Sequence, residues 1–259
     1  MIQRYTVLIL ILCWACSQPK NNVETSTAIE DINEPMPGFN IEGSDPIAIF
    51  VADKVMAAMG GRKAWDKTQY LKWTHFDNRT LTWDKHNGDV RIDFLDNEDV
   101  YLVNINDLTG KIYKDGQVMT ESDSLAKYLS IAKDIWINDS YWLIMPYKLK
   151  DNGVTLYYLG EDTTSDGRDV QKLQLVFENT SETLGNVYDI WVDAGTNLVS
   201  QWAFYPDGSY TEPTYTTTWA DYQKQGEILL SNTRGDKQLS NIEVLSTVPT
   251  NTFNTLQID

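Results

Sequence analysis

Roughly eleven short segments of this chain alternate apolar and polar residues with a period of two, and Asn, Asp and Gly separate them. Val90, Ile92 and Phe94 oppose Asp89, Arg91 and Asp93; Leu173, Leu175 and Phe177 share a face, as do Tyr188, Ile190 and Val192. Strands patterned this way have one dry face and one wet face, which suits an antiparallel sheet better than alternating βαβ units. The segments are Tyr70–Phe76, Thr80–Lys85, Asp89–Leu95, Asp99–Asn106 and Lys111–Tyr113. A second group follows at Val154–Leu159, Asp169–Phe177, Val187–Val192, Leu198–Tyr205, Tyr215–Tyr222, Glu227–Ser231 and Ile242–Thr247. Turn chemistry is clear at Asp193-Ala194-Gly195-Thr196-Asn197 and at Pro206-Asp207-Gly208.

Two helices interrupt the strands. Asp45-Pro46 opens the first; Ile47, Val51, Val55 and Met59 recur at four-residue spacing with Phe50 alongside, and Gly60-Gly61 ends it. The second is expected from a capping box at Thr120 to Asp123, with Leu125, Tyr128, Leu129, Ala132, Ile135 and Trp136 on one apolar face. Asn138-Asp139-Ser140 is expected to interrupt it before the apolar run Tyr141 to Pro146. The fold class that follows is mainly β (α+β): a curved antiparallel half-barrel of roughly eleven strands covered by two main helices.

The N-terminus predicts export. Arg4 precedes the apolar run from Thr6 to Ala15, which is too short for a permanent membrane span and has the layout of a cleavable signal over residues 1–15. Ala15 directly before Cys16 suits a lipoprotein signal peptidase, so Cys16 is the expected lipidation site and the bacterial cell envelope the expected location. Residues 16–44 are polar and broken by Pro19, Pro35, Pro37 and Gly38, which reads as a flexible tether to a β-rich domain at 45–259. Both cysteines lie at the signal boundary, so the mature domain carries no disulfide and no catalytic thiol. The net charge of −16 argues against nucleic acid or an anionic membrane surface as a partner; loss of Arg4 with the signal takes it to about −17.

Trp73, Trp83, Trp191, Trp202 and Trp219 fall on strands, and Trp136 and Trp142 on the helical segment. Helices lying over the dry face of a curved sheet would enclose either a packed core or a greasy cavity. The order of signal, tether, helix, strands, central helix and further strands resembles the LolA/LolB-like lipoprotein carrier and receptor superfamily. Val187-Tyr188-Asp189-Ile190-Trp191-Val192-Asp193-Ala194-Gly195-Thr196-Asn197-Leu198 is similar to that superfamily's strand–turn–strand, and Trp219-Ala220-Asp221-Tyr222 with Gly226-Glu227-Ile228-Leu229-Leu230 to its later hairpin. The resemblance spans most of residues 45–250. It implies an incomplete barrel capped by helices that holds acyl chains or other hydrophobic ligands, and a lipidated chain matches the receptors of that group. Arg79 and Arg91 are the strand-region arginines weighed for the carrier's functional arginine, and neither sits in a matching motif.

Catalytic patterns are sparse. A three-residue loop at Asp77-Asn78-Arg79, pairing residue 75 with 81, puts His75 on the Trp73/Trp83 face and His86 on the other, so the two do not share a metal. There is no Gly-x-Ser-x-Gly elbow and no Gly-rich phosphate loop. Asp162 to Asp169 has the alternating oxygens of a calcium loop, but Leu173 stands where a bidentate Glu is needed, so it reads as an acidic hairpin turn. Asp93 with Asp96, and Glu98 with Asp99, read as a solvated strand end. The expectation is a non-enzymatic envelope lipoprotein, without cofactor or metal, that binds or transfers a lipid or acyl chain. Candidate ligand contacts by strand and helix phase are Trp73, Trp83, Phe94, Trp136, Trp142, Ile190 and Trp202. The alternative is a structural or partner-binding lipoprotein with a filled barrel interior, its envelope protein partner unidentified.

Overall fold

In the computed structural model the described residues are 31–164, 167–178 and 185–258, so the expected signal peptide and Cys16 lie outside them. The alternating segments form fourteen strands, all paired antiparallel, in place of about eleven. They are β1 Tyr70–His75, β2 Arg79–Asp84, β3 Asp89–Phe94, β4 Val100–Asn104, β5 Gly110–Lys114, β6 Gln117–Val118, β7 Val154–Thr163 and β8 Asp169–Phe177. The series continues with β9 Val187–Asp193, β10 Val199–Tyr205, β11 Tyr215–Thr218, β12 Ala220–Gln225, β13 Ile228–Arg234 and β14 Lys237–Leu245. One sheet has nine strands in the order β12-β13-β14-β1-β2-β3-β4-β5-β6, and the other five, β11-β10-β9-β8-β7. They meet at Trp219, the one residue between β11 and β12, whose N–H donates to the Ser200 carbonyl at 2.8 Å. The result is the open antiparallel half-barrel expected from the sequence.

The extra strands have local causes. The expected strand Tyr215–Tyr222 is two, because the chain changes sheets at Trp219, and Asp221 takes a positive φ of 55° at that corner. The last strand begins at Lys237 rather than Ile242, because Thr233 and Arg234 of β13 pair with Gln238 and Lys237 across a tight turn. In the β1–β2 hairpin His75 pairs with Arg79, not with residue 81; Phe76 and Asp77, at φ of 44° and 55°, turn the chain. The two registers differ by two residues, so the faces are unchanged, and Trp73 and His75 still share one with Leu81 and Trp83.

Helix α1 (Pro46–Ala58) buries Ala48, Val51, Ala52, Val55 and Met56, while Ile47 and Phe50, assigned to its buried face from spacing, are exposed. The small alanines let the backbone approach the sheet, which turns positions 47 and 50 outward. After the short α2 (Arg62–Lys67) and the first six strands, α3 (Ser122–Ile144) crosses the concave side. Glu121, not Thr120, caps it by accepting from the Asp123 and Ser124 amides at 3.0 and 2.6 Å. The helix runs unbroken through Asn138-Asp139-Ser140 and ends in a 3₁₀ turn, Met145–Lys148. Ala132, Trp136, Asp139 and Leu143 recur at the spacing of one helical stripe, so Asp139 lies on the inward face.

Part of the segment expected as a tether is bonded to the sheet. The described chain begins at Asp31, and residues 36–45 are laid along the edge of β7 and the turn before it. Met36, Asn40 and Asp45 donate backbone N–H groups to the carbonyls of Lys150, Val154 and Leu156, and Phe39 is buried. Polar composition reads as flexible, but an edge strand has unpaired groups that such a segment satisfies. The other end is strapped down too. Arg91, expected on the wet face of β3, is buried, and donates to the carbonyls of Thr252, Thr255 and Leu256.

Gly60, which ends α1, has φ +113°, and a Cβ there would lie 2.4 Å from the Glu227 carbonyl oxygen. Gly60→Ala is therefore expected to destabilise the domain by about 2 kcal/mol, read as a lowered urea midpoint at unchanged slope.

Candidate functional site

The concave face between α3 and the sheets is lined with aromatic rings. Trp142 of α3 meets Trp202 edge-on at 5.0 Å between centroids, Phe76 at 5.2 Å and Tyr215 at 5.5 Å. Tyr188 extends the group, 5.2 Å from Trp202 and 5.1 Å from Tyr141. A second contact on the same helix joins Trp136 to Trp83 at 5.2 Å. Four of the seven candidate side chains are thus brought together as two pairs, Trp142 with Trp202 and Trp136 with Trp83. Trp73 and Ile190 are fully buried in the core, and Phe94 packs instead on Tyr101 at 4.9 Å.

Charged groups hold α3 over this lining. Asp139 is inaccessible to solvent, and Arg79 grips it with two bonds, Nε to Oδ2 at 2.6 Å and Nη2 to Oδ1 at 2.8 Å. Asn138 donates to the same Oδ1 at 2.9 Å, and His75 Nε2 lies 3.4 Å from it. Burial drives the His75 imidazole down to about 4; Asp139 opposes that shift, while Arg79, Lys237 and Arg234 reinforce it. His75 is therefore neutral at physiological pH. One turn onward, the Trp142 carbonyl accepts from Arg234 at 3.1 Å (Nε) and 2.6 Å (Nη2). This carbonyl is in the last turn of α3, where a cation is favoured.

Arg234 is fully buried, and its guanidinium carbon stands 3.4 Å from the Trp219 ring centre. Its remaining bonds go to Ser231 and to the Thr233 carbonyl, all neutral oxygens, and burial pulls its pKa down to about 9.

The interior also holds polar groups without a hydrogen-bond partner. The indole N–H groups of Trp73, Trp83, Trp136, Trp202 and Trp219, the Tyr141 hydroxyl and His75 Nδ1 are buried with no hydrogen-bond partner among the described residues. Edge-on ring contacts compensate some of this, but a lost hydrogen bond costs about 1–3 kcal/mol per buried group. Two surface clefts, of about 290 and 330 Å³, lie elsewhere: one between β3–β5 and Phe253-Asn254, the other over β12–β14.

The other sequence candidates resolve simply. His86 Nε2 is 2.8 Å from the Asp66 carbonyl oxygen, away from His75. Of the stretch Asp162 to Asp169, Ser165 and Asp166 lie outside the described residues; on either side of them Thr163 pairs with Asp169 and Thr164 N–H donates to the Arg168 carbonyl. Asp99, assigned to a solvated strand end, is buried, bonded to Lys114 and to the Asp115 amide, because it organises the β5–β6 turn. Among the described residues no three His, Cys, Asp or Glu side chains are placed to hold a metal ion.

Sequence reasoning missed Asp139, Arg234, Tyr188, Tyr215 and Trp219 as members of this constellation. Two carried a signal. Asp139 sits in phase with Ala132 and Leu143, and an acid on an apolar stripe requires a buried partner. Arg234 continues the inward phase of Ile228 and Leu230. The aromatic partners arrive from the second sheet, and no local spacing relates them to α3.

No protein-family model matches the chain, and no curated protein matches it. Among the solved structures similar to it are the following three. One is a DUF1329 family protein from Desulfovibrio piger, with 17% identity and TM-score 0.48, covering 83% of this chain and 100% of that one. Another, named as an outer membrane lipoprotein-sorting protein domain from Vibrio parahaemolyticus, has 11% identity and TM-score 0.44, covering 80% and 96%. A LolA superfamily protein from Nitrosomonas europaea has 8% identity and TM-score 0.34, covering 80% and 97%. With every TM-score under 0.5, none of these likenesses assigns an activity.

Two outcomes are expected. Asp139→Asn leaves Arg79 without its counter-charge and should cost about 3 kcal/mol in urea unfolding at pH 7.5. His75 has a folded pKa near 4 and an ordinary unfolded value of 6.5, so the unfolded state binds the extra proton between them. Stability is present above pH 6.5 and falls as pH drops toward 4, by up to about 3 kcal/mol. A His75→Asn variant should show a visibly flatter urea midpoint between pH 7 and 5, measured against wild type.

Proposed function

We propose that this domain is a non-enzymatic envelope lipoprotein, anchored through Cys16, that binds or transfers a lipid or acyl chain against the aromatic side chains beneath α3. The observation that carries this reading is the unusual interior. Large apolar rings converge there, yet five indole N–H groups and a tyrosine hydroxyl lack an acceptor among the described residues. An amphiphile with an apolar body and a few carbonyl or ester oxygens matches both properties, since pockets for such ligands are mostly apolar with a few placed donors. The sequence resemblance to the LolA/LolB-like superfamily points the same way. No covalent step is assigned to the chain.

A second reading is a partner-binding lipoprotein whose half-barrel is simply filled. It is favoured by the complete burial of Trp73, Leu71, Leu81 and Ile190 against the sheet. One experiment separates the two. Native mass spectrometry of residues 17–259, exported unlipidated to a bacterial periplasm, should show a releasable adduct of lipid mass. A bare chain mass, together with failure to exchange a fluorescent fatty acid, would overturn lipid binding and leave the filled scaffold.

A further inference from the structure

Four of the five most exposed large apolar side chains among the described residues lie between positions 32 and 50: Ile32 (60% exposed), Phe50 (58%), Ile41 (57%) and Ile47 (53%). Ile47, Phe50 and Lys54 share one outward face of α1, with the Lys54 ammonium 4.7 Å from the Phe50 ring centre. Backbone bonding brings β7 alongside. Asp45 N–H donates to the Leu156 carbonyl at 2.8 Å, and its carboxylate accepts from the Tyr158 amide at 2.9 Å. Tyr157 and Leu159, which alternate with those inward residues, are themselves exposed. Exposed apolar groups paired on one helix face, as Ile47 and Phe50 are, mark an interaction surface.

We propose that this outward face of α1 seats on the lipid surface of the membrane to which Cys16 anchors the chain, with Ile47 and Phe50 entering the headgroup–acyl boundary. The argument is the route of the chain. Fourteen residues separate Cys16 from Asp31, so the anchor lies within about 50 Å of the domain even at full extension. The entry point is fixed on the same side. The Asp31 carboxylate accepts from the Lys63 amide at 3.1 Å, and Asn33 donates to Asp53 of α1 at 2.8 Å. A lipid at Cys16 tethers the domain to the bilayer by the chain that enters beside α1, so a weak apolar contact made by that flank gains from effective concentration. Ile47 and Phe50 with an overlying lysine are the kind of group that enters an interface, the ammonium staying with the headgroups. The chain's net charge of −16 selects zwitterionic over anionic lipid.

This inference rests on Cys16 as the lipid anchor, and the test reads the two separately. The mature lipoprotein is placed in phosphatidylcholine vesicles with an environment-sensitive fluorophore on Phe50→Cys or, as a control, on Leu95→Cys, a residue equally exposed far along the chain. A nitroxide quencher carried on the lipid should quench the probe at 50 several-fold more strongly than that at 95. Replacing part of the phosphatidylcholine with phosphatidylglycerol should weaken the effect. Equal quenching at the two positions overturns the docking face, and so does a probe at 50 shielded from an aqueous quencher yet untouched by the lipid-borne one, which indicates a second copy. The mass of the mature chain reports lipid at Cys16; its absence overturns the anchor and this inference with it.

Discussion

The bidentate contact between Arg79 and the fully buried Asp139 sets where helix α3 lies, and the concave side of the molecule is arranged around that position. A helix resting only on Leu and Trp side chains can slide or rotate at modest cost, because apolar contacts are non-directional. A carboxylate gripped at both oxygens cannot shift without leaving a charge unpaired in a dry place, which is far more costly. Arg234, bonded to the Trp142 carbonyl one turn away, adds a second fixed point. Arg79 is on β2 and Arg234 on β13, so two separate parts of the nine-stranded sheet hold the same helix.

The energetics of the interior follow from that clamp. With α3 fixed, Trp142 and Tyr141 meet Trp202 and Tyr188 of the five-stranded sheet, so one helix covers both sheets. The ring contacts are mostly edge-on or tilted, the geometry that ring quadrupoles favour. The same crowding strips water from indole N–H groups without supplying acceptors, and it keeps His75 neutral beside a carboxylate that would otherwise favour its charge. Stability of the aromatic lining and its unfilled donors are therefore two results of a single packing decision.

Both ends of the described chain serve the sheet rather than hanging from it. Residues 36–45 satisfy the open edge of β7, while the segment around Thr252 to Leu256 lies across β3 and gives Arg91 its carbonyl partners. An open half-barrel has edges that would otherwise pair with other chains, and covering one with a non-strand segment prevents that. Covering β7 in this way also turns the outer face of α1 toward solvent, where Ile47 and Phe50 remain uncovered.

The alternation of residues such as Val90, Ile92 and Leu173, Leu175 was enough to assign antiparallel strands, because period-two burial depends only on the pleat. The helix limits at Asp45-Pro46 and Gly60-Gly61 were legible for a similar reason, since the rigid proline ring and a positive φ are local properties. Even a mistaken hairpin register left Trp73, His75 and Trp83 on the correct face, because the error was an even number of residues. What the sequence alone could not decide was which non-local groups meet. Asp139 looked like a helix breaker until Arg79, sixty residues away, supplied its counter-charge. Arg91 looked wet until the C-terminal segment covered it. Residues 36–44 looked like part of a tether until the edge of β7 bound them. In each case local polarity predicted exposure, and tertiary structure reversed it by bringing a partner: the cost of burying a polar group depends on the hydrogen bond waiting for it.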